Sequence, residues 1–276
     1  MSIHRSLARS IFTGINITTK IIFINVVIFI LAWIFSLYIP NFLDYTALQP
    51  SLVLQGKNLW TLITSMFMHA GIAHLFFNMF SLYFIGSFVE SIVGRKRFVV
   101  FYLISGIIGG IFFVILAGFL GTGAGASIFG SPDIQGVGAS GAIFGLLGLL
   151  AVLTPKNRVY LIVGPLIAII IQAILENFNA SLSSVLGFIV NIYFIISIIA
   201  IFSFSSRIRR IALPLEMPFW ILPVIAIVPL VIIGLFVPLP IGNTAHFGGL
   251  VAGLIYGLYL RRKYPKKIAF LNKVFR

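Results

Sequence analysis

Among the polar residues inside otherwise apolar stretches of this chain, four could do chemistry together: His74, Asn78, Ser140 and His246. A serine hydroxyl is a weak nucleophile until a neighbouring base takes its proton. A histidine can take that proton and later hand it to a leaving amine. The tetrahedral species between those steps carries an oxyanion, which needs hydrogen-bond donors. The Asn78 amide, His74 and the backbone N–H of Ser140, unpaired at a helix start, can supply them. The chemistry these residue types suggest is acyl transfer, with Ser140 as nucleophile and His246 as base. No carboxylate lies near His246 in sequence, and Asp44, Asp133 and Glu176 have no evident claim on it. The pair therefore reads as a Ser-His dyad. Phe144, one turn below Ser140, is placed to stack on the imidazole.

Spacing supports the grouping. His74 and Asn78 are four apart and share a helix face. Ser140 sits in Gly138-Ala139-Ser140-Gly141 and opens an apolar run; His246 opens another, within Ala245-His246-Phe247-Gly248-Gly249. The first run carries Gly141, Gly145 and Gly148, the second Gly249, Gly253 and Gly257. Small residues at such intervals let two helix backbones approach closely. If these ridges meet, Ser140 and His246 face each other. Each feature alone has a plainer reading. The glycine motif is more often a packing ridge, and His74 with Asn78 equally suits interhelical hydrogen bonding. A lone His246 equally suits a proton relay or an ion. His69 reads as a structural loop residue and His4 as a solvated one. The joint pattern, with all four at one depth, favours catalysis.

The elements that position these residues are membrane spans. Of 276 residues, 60% are hydrophobic and 9% charged, too little charge for a soluble domain of this size. Apolar runs long enough to span, roughly 20 residues each, lie near 20–40, 72–91, 97–120, 138–154, 159–176, 182–204, 217–238 and 243–260. The expected fold is an all-α polytopic membrane protein of about eight helices. Basic residues precede the first run and follow the second, fourth, sixth and eighth, with only Lys57 in an odd-numbered connection. Positive residues favour the cytoplasm, so both termini are expected inside, and the plasma membrane is the expected location. Residues 1–19 and 262–276 read as cytoplasmic tails around a transmembrane domain at 20–261. The net charge of +14 is accounted for by topology and anionic headgroups rather than by nucleic acid. There is no cysteine, which excludes disulfides and thiolate metal sites.

At these residues the sequence resembles the rhomboid family of intramembrane serine proteases. Trp60 through Asn78, with His74-x-x-x-Asn78, looks like its first loop and second helix. Glu90-x-x-x-Gly94-x-x-Arg97-Phe98 resembles the next signature. Gly138-Ala139-Ser140-Gly141 with Phe144 and Gly145 matches the nucleophile motif, and Ala245-His246-x-x-Gly249-x-x-x-Gly253 matches the base-bearing helix. The resemblance implies Ser140 as nucleophile, His246 as base, and His74 and Asn78 as oxyanion donors. Gly138 is grouped with those donors, and Phe144, Gly249 and Gly253 support the pair. It further implies transmembrane-helix substrates cut near the outer face, with no metal or cofactor. Thr61 follows Trp60 where the family often has arginine. The family core has six helices, so two of the eight are an insertion. Residues 217–238 are the expected core helix and 159–204 the inserted pair. The alternative keeps 159–176 in the core, because Asn157-Arg158-Val159-Tyr160 also looks family-like. Two other readings are an inactive, client-binding relative and a transporter. The transporter would need two similar halves with broken helices, and no such repeat is visible.

Overall fold

The computed structural model describes residues 16–164, 167, 171, 180–201, 205–235 and 242–274, and they are mostly helical. Eight longer helices carry the labels used below.

Helix α1 (Ile17–Tyr38) starts at a double cap. The first N–H groups of any helix lack internal acceptors. Here the Asn16 side chain accepts from Thr19 N at 2.8 Å. Glu90 accepts from Ile17 N at 3.0 Å and Thr18 N at 2.9 Å, and from the Thr18 hydroxyl at 2.7 Å. A buried carboxylate at the positive end of a helix dipole is electrostatically favourable. Glu90 belongs to α2 (Ile72–Val93), so this cap also fastens the first helix to the second. Within α2, a π-helical turn at Leu82–Gly86 separates Ile72–Ser81 from Ser87–Val93. Gly94, at φ 86°, turns the chain directly into α3 (Arg95–Leu120).

Helix α4 (Ser140–Leu153) is the centre of the molecule; ten of its fourteen residues are buried. It packs against α3, α6 (Leu222–Gly234), α7 (Asn243–Lys263) and the π turn of α2. Leu146, Leu149, Leu150 and Leu153 are almost wholly buried, as are Phe98 and Tyr102 of α3. At about 1.5 Å per residue α4 is about 21 Å long, short of a hydrocarbon core about 30 Å thick. Its C-terminal end leads into Pro155 and Lys156, which belong at a surface.

Among the described residues, α1, α2 and α3 are long and apolar enough to cross a membrane by themselves, and Ser140–Leu153 and Val185–Ser197 are shorter apolar helices. The sequence predicts eight spans, and the structure departs from that prediction in the fifth and seventh. Arg158–Ile162 is a strand, β1, paired antiparallel with β2 (Pro214–Pro218), so that Arg158 faces Pro218 and Ile162 faces Pro214. Val159, Tyr160 and Ile162 suit a pleated strand as well as a helix, and short apolar runs cannot be told apart by periodicity. Pro214 and Pro218 sit at the strand ends, where a missing N–H is tolerated. The helix expected to begin near 217 begins instead at Leu222. The rest of the expected fifth span falls mostly at 165–166, 168–170 and 172–176, outside the described residues. The sixth is α5 (Ala180–Ile201). The segment read as a basic tail forms α8 (Pro265–Val274), which buries Ile268 and Leu271. From α8, Lys267 donates to the Ile92 carbonyl at the end of α2, and Asn272 to the Leu153 carbonyl at the end of α4.

Candidate active site

The glycine ridges of α4 and α7 meet. A Cβ on Gly249 would collide with the Gly141 carbonyl oxygen and lie 2.9 Å from its carbon. One on Gly253 would strike the Gly145 carbonyl oxygen and approach Leu149 N to 2.8 Å. Only glycine permits this backbone-on-backbone contact. Gly109 of α3 packs into the same junction, beside the Ala245 carbonyl oxygen.

This close packing brings the first turn of α7 beside the first turn of α4. His246 Nε2 lies 2.8 Å from Ser140 Oγ. The Phe144 ring stacks on the imidazole, with centroids 4.2 Å apart and planes inclined by 12°. His246 is buried and Ser140 half-buried. His246 Nδ1 has no protein hydrogen-bond partner among the described residues, so contact with Phe144, not a carboxylate, holds the ring plane. For Nε2 to accept the Ser140 proton, Nδ1 must carry the ring hydrogen.

His74 and Asn78 converge on the backbone leading into Ser140. Gly138 stands at φ 122°, a conformation that excludes ordinary side chains. A Cβ there would lie 2.8 Å from His74 Cε1, 2.9 Å from His74 Nε2 and 3.8 Å from Asn78 Nδ2. Gly138 therefore supplies room, not a donor, since its N–H is given to the Ser65 carbonyl at 2.8 Å. The N–H of Ala70 donates to His74 Nδ1 at 3.3 Å. That bond assigns Nδ1 as acceptor and leaves the ring hydrogen on Nε2, facing the site. One Asn78 amide hydrogen goes to the His74 carbonyl at 2.9 Å, and the amide has a second to offer. Ile143 N–H is bonded back to the Ala139 carbonyl at 3.1 Å; the N–H groups before it belong to the unpaired first turn. His74 Nε2–H and the second Asn78 amide hydrogen are thus left available beside the backbone that leads into Ser140.

Two features beside the site have contacts that spacing alone does not show. His69 is buried and packs edge-on against His74, centroids 5.3 Å apart. Burial, with the neighbouring His74, pulls its pKa down to about 4, so it is neutral near pH 7. The first loop, which carries Trp60, is held against the chain leading to Ser140. Leu48 and Gly136 exchange both backbone hydrogen bonds, and Gln135 donates to Asp44 at 2.6 Å. Thr61, in place of the arginine common in the resembled family, is buried and donates to the Asn58 carbonyl at 2.6 Å.

The family model described as Rhomboid domain matches residues 56–193, half of the 276-residue chain. The match contains His74, Asn78, Gly138, Ser140 and Phe144 and stops before His246. The rhomboid protease GluP of Bacillus subtilis (strain 168) is 40% identical over 114 residues, 41% of this chain and 19% of that protein. The putative rhomboid protease YdcA of the same organism is 40% identical over 90 residues, 33% of this chain and 39% of that one. The inactive RHOMBOID-like protein 8 of Arabidopsis thaliana is 31% identical over 103 residues, 37% of this chain and 25% of that one. The matched stretch is thus well under half the length of each of these curated relatives.

Proposed function

The chain belongs to the rhomboid family, and on that premise we propose that it is an intramembrane serine endopeptidase working through Ser140 and His246. The observation that carries this reading is the 2.8 Å contact between Ser140 Oγ and His246 Nε2. His246 lies outside the family match, so its arrival beside Ser140 is support independent of that match. His246 takes the hydroxyl proton as Ser140 Oγ attacks a peptide carbonyl. The oxyanion is met by the Ser140 N–H, His74 Nε2–H and Asn78 amide. Donors fixed in place ahead of the reaction cost no reorganisation as charge develops. The imidazolium then protonates the leaving amine, and water repeats the sequence on the acyl-enzyme.

The substrates in this reading are transmembrane helices that unwind near the Ser140 end, cut below the membrane surface where α4 begins. Both termini are cytoplasmic and the membrane is the plasma membrane. The core has six helices, α1 to α4, α6 and α7, with the segment between β1 and β2, which includes α5, as the insertion. The β1–β2 ladder supports this assignment, because it brings the chain back beside the point it left. The packing of α6 against α4 and α7 supports α6 as the core helix.

Cleavage of a model transmembrane substrate in proteoliposomes tests the proposal. Ser140→Ala and His246→Ala should each abolish turnover, with the double variant little worse than either, because the pair acts as a unit. Substantial turnover by Ser140→Ala would end the protease reading. A second reading, a client-binding protein that does not cut, is favoured by the similarity to the relative named as inactive; binding without cleavage by the unmodified chain would select it.

A further inference from the structure

Away from the Ser140–His246 site, a groove of about 600 Å³ runs between α3 and α7, within the size range of small-ligand sites. Its walls are apolar, built from Val100, Ile104 and Ile108 of α3 against Ala252, Ile255 and Tyr256 of α7. At one end it is lined by Lys96, Arg97 and Tyr259. From Lys96 to Ile108 the groove follows α3 for about 18 Å, close to half of a hydrocarbon core about 30 Å thick. It therefore has the reach of one lipid leaflet.

The basic end is suited to meet an anion. Arg97 donates to the Tyr264 hydroxyl at 3.1 Å and lies 5.3 Å from the centre of that ring. Lys263 donates to the Tyr259 hydroxyl at 2.7 Å and lies 5.2 Å from that ring. Each tyrosine oxygen accepts from a cation, so its own hydrogen is free to go to a further acceptor. Arg95, Lys96 and Arg97 form the first turn of α3, which has no acidic residue. Cations at the positive end of a helix dipole are unfavourable, a cost that a bound anion offsets. Tyrosines at this level also suit the headgroup zone of a bilayer.

We propose that this groove binds one anionic phospholipid, its phosphate held by Arg97, Lys263 and Lys96 with the two tyrosine hydroxyls, and an acyl chain laid along Val100, Ile104 and Ile255. Since α7 carries His246, the lipid packs against the helix that bears the proposed base.

The test uses the full chain purified in detergent and stripped of lipid. Native mass spectrometry and thermal unfolding are read with phosphatidylglycerol, with phosphatidylcholine and with inorganic phosphate. Phosphatidylglycerol should bind one per chain and raise the unfolding temperature; phosphatidylcholine should bind more weakly, and phosphate alone should do neither. The Lys96→Gln, Arg97→Gln, Lys263→Gln triple variant should bind phosphatidylglycerol about a hundredfold more weakly, from about fivefold per basic residue at a membrane surface. Ala252→Phe, which fills the groove and keeps every charge, should also lose binding. Lys266→Gln with Lys273→Gln, on the neighbouring α8, should not. Equal loss in that control, retention by Ala252→Phe, or full competition by inorganic phosphate would each overturn the proposal.

Discussion

The 2.8 Å contact between Ser140 and His246 depends on how closely α4 and α7 approach, and Gly249→Ala tests that dependence. A methyl group at position 249 would lie 2.9 Å from the Gly141 carbonyl carbon and closer still to its oxygen. Both are backbone atoms, so no side-chain rotation relieves the clash. Carbon atoms rest at about 3.5–4.0 Å, so α7 must move away by on the order of 1 Å. His246 Nε2 would then stand almost 4 Å from Ser140 Oγ, beyond the reach of a proton transfer at about 2.6–3.2 Å. A misplacement of that size costs about 10²-fold in rate. The overpacking itself should cost about 1–3 kcal/mol of stability, which leaves a folded population to assay. The measurement is kcat for a transmembrane substrate in proteoliposomes, beside Gly71→Ala, where a Cβ meets nothing within 4 Å. Gly249→Ala should lose about 10²-fold and Gly71→Ala almost nothing. A folded Gly249→Ala within twofold of the unmodified protein would show that helix approach does not set the geometry.

Three further outcomes follow from the same structure. Asn78→Ala should lower kcat by on the order of 10²-fold through loss of one oxyanion donor, with the unfolding temperature little changed; an unchanged rate makes Asn78 a packing residue. Glu90→Ala strands the N–H groups of part-buried Ile17 and buried Thr18 and should cost on the order of 3 kcal/mol, read as a lower unfolding temperature; no change would refute the double cap. His69 has its folded pKa held near 4, below its ordinary 6.5. The folded state therefore binds fewer protons than the unfolded state between those values, and stability is lost as pH falls from 6.5 towards 4. His69→Gln should flatten that part of the profile, and an identical acid profile in the variant would remove His69 from the account.

Much of the site was legible because membrane chains restrict polar residues so severely. His74 and Asn78 share a face by spacing alone, and the glycine intervals around Gly145 and Gly253 mark two helices able to touch. Less visible was everything that depends on a specific partner far away in sequence. Nothing near Glu90 says that it caps Ile17 and Thr18, some seventy residues earlier. Nothing near Gly138 says that its N–H belongs to Ser65, which removes it from the donor set. Nothing near His69, expected as a structural loop residue, says that its ring packs against His74. The strand at Arg158–Ile162 passes for the start of a helix because Val159, Tyr160, Leu161 and Ile162 fit either period, and only pairing with Pro214–Pro218 decides. Helix α8 passes for a basic tail in the sequence because its charge outweighs Ile268 and Leu271, the two buried residues that dock it.

The central claim is that His246 activates Ser140. Reaction of the purified chain with a fluorophosphonate probe, followed by mass spectrometric mapping, tests it most directly. The account predicts modification of Ser140 in the unmodified protein, none in Ser140→Ala, and a loss on the order of 10³-fold or more in His246→Ala, because the hydroxyl is a weak nucleophile without its base. Labelling of Ser140 at the same rate in folded His246→Ala, or none at all in the folded unmodified protein, would contradict it.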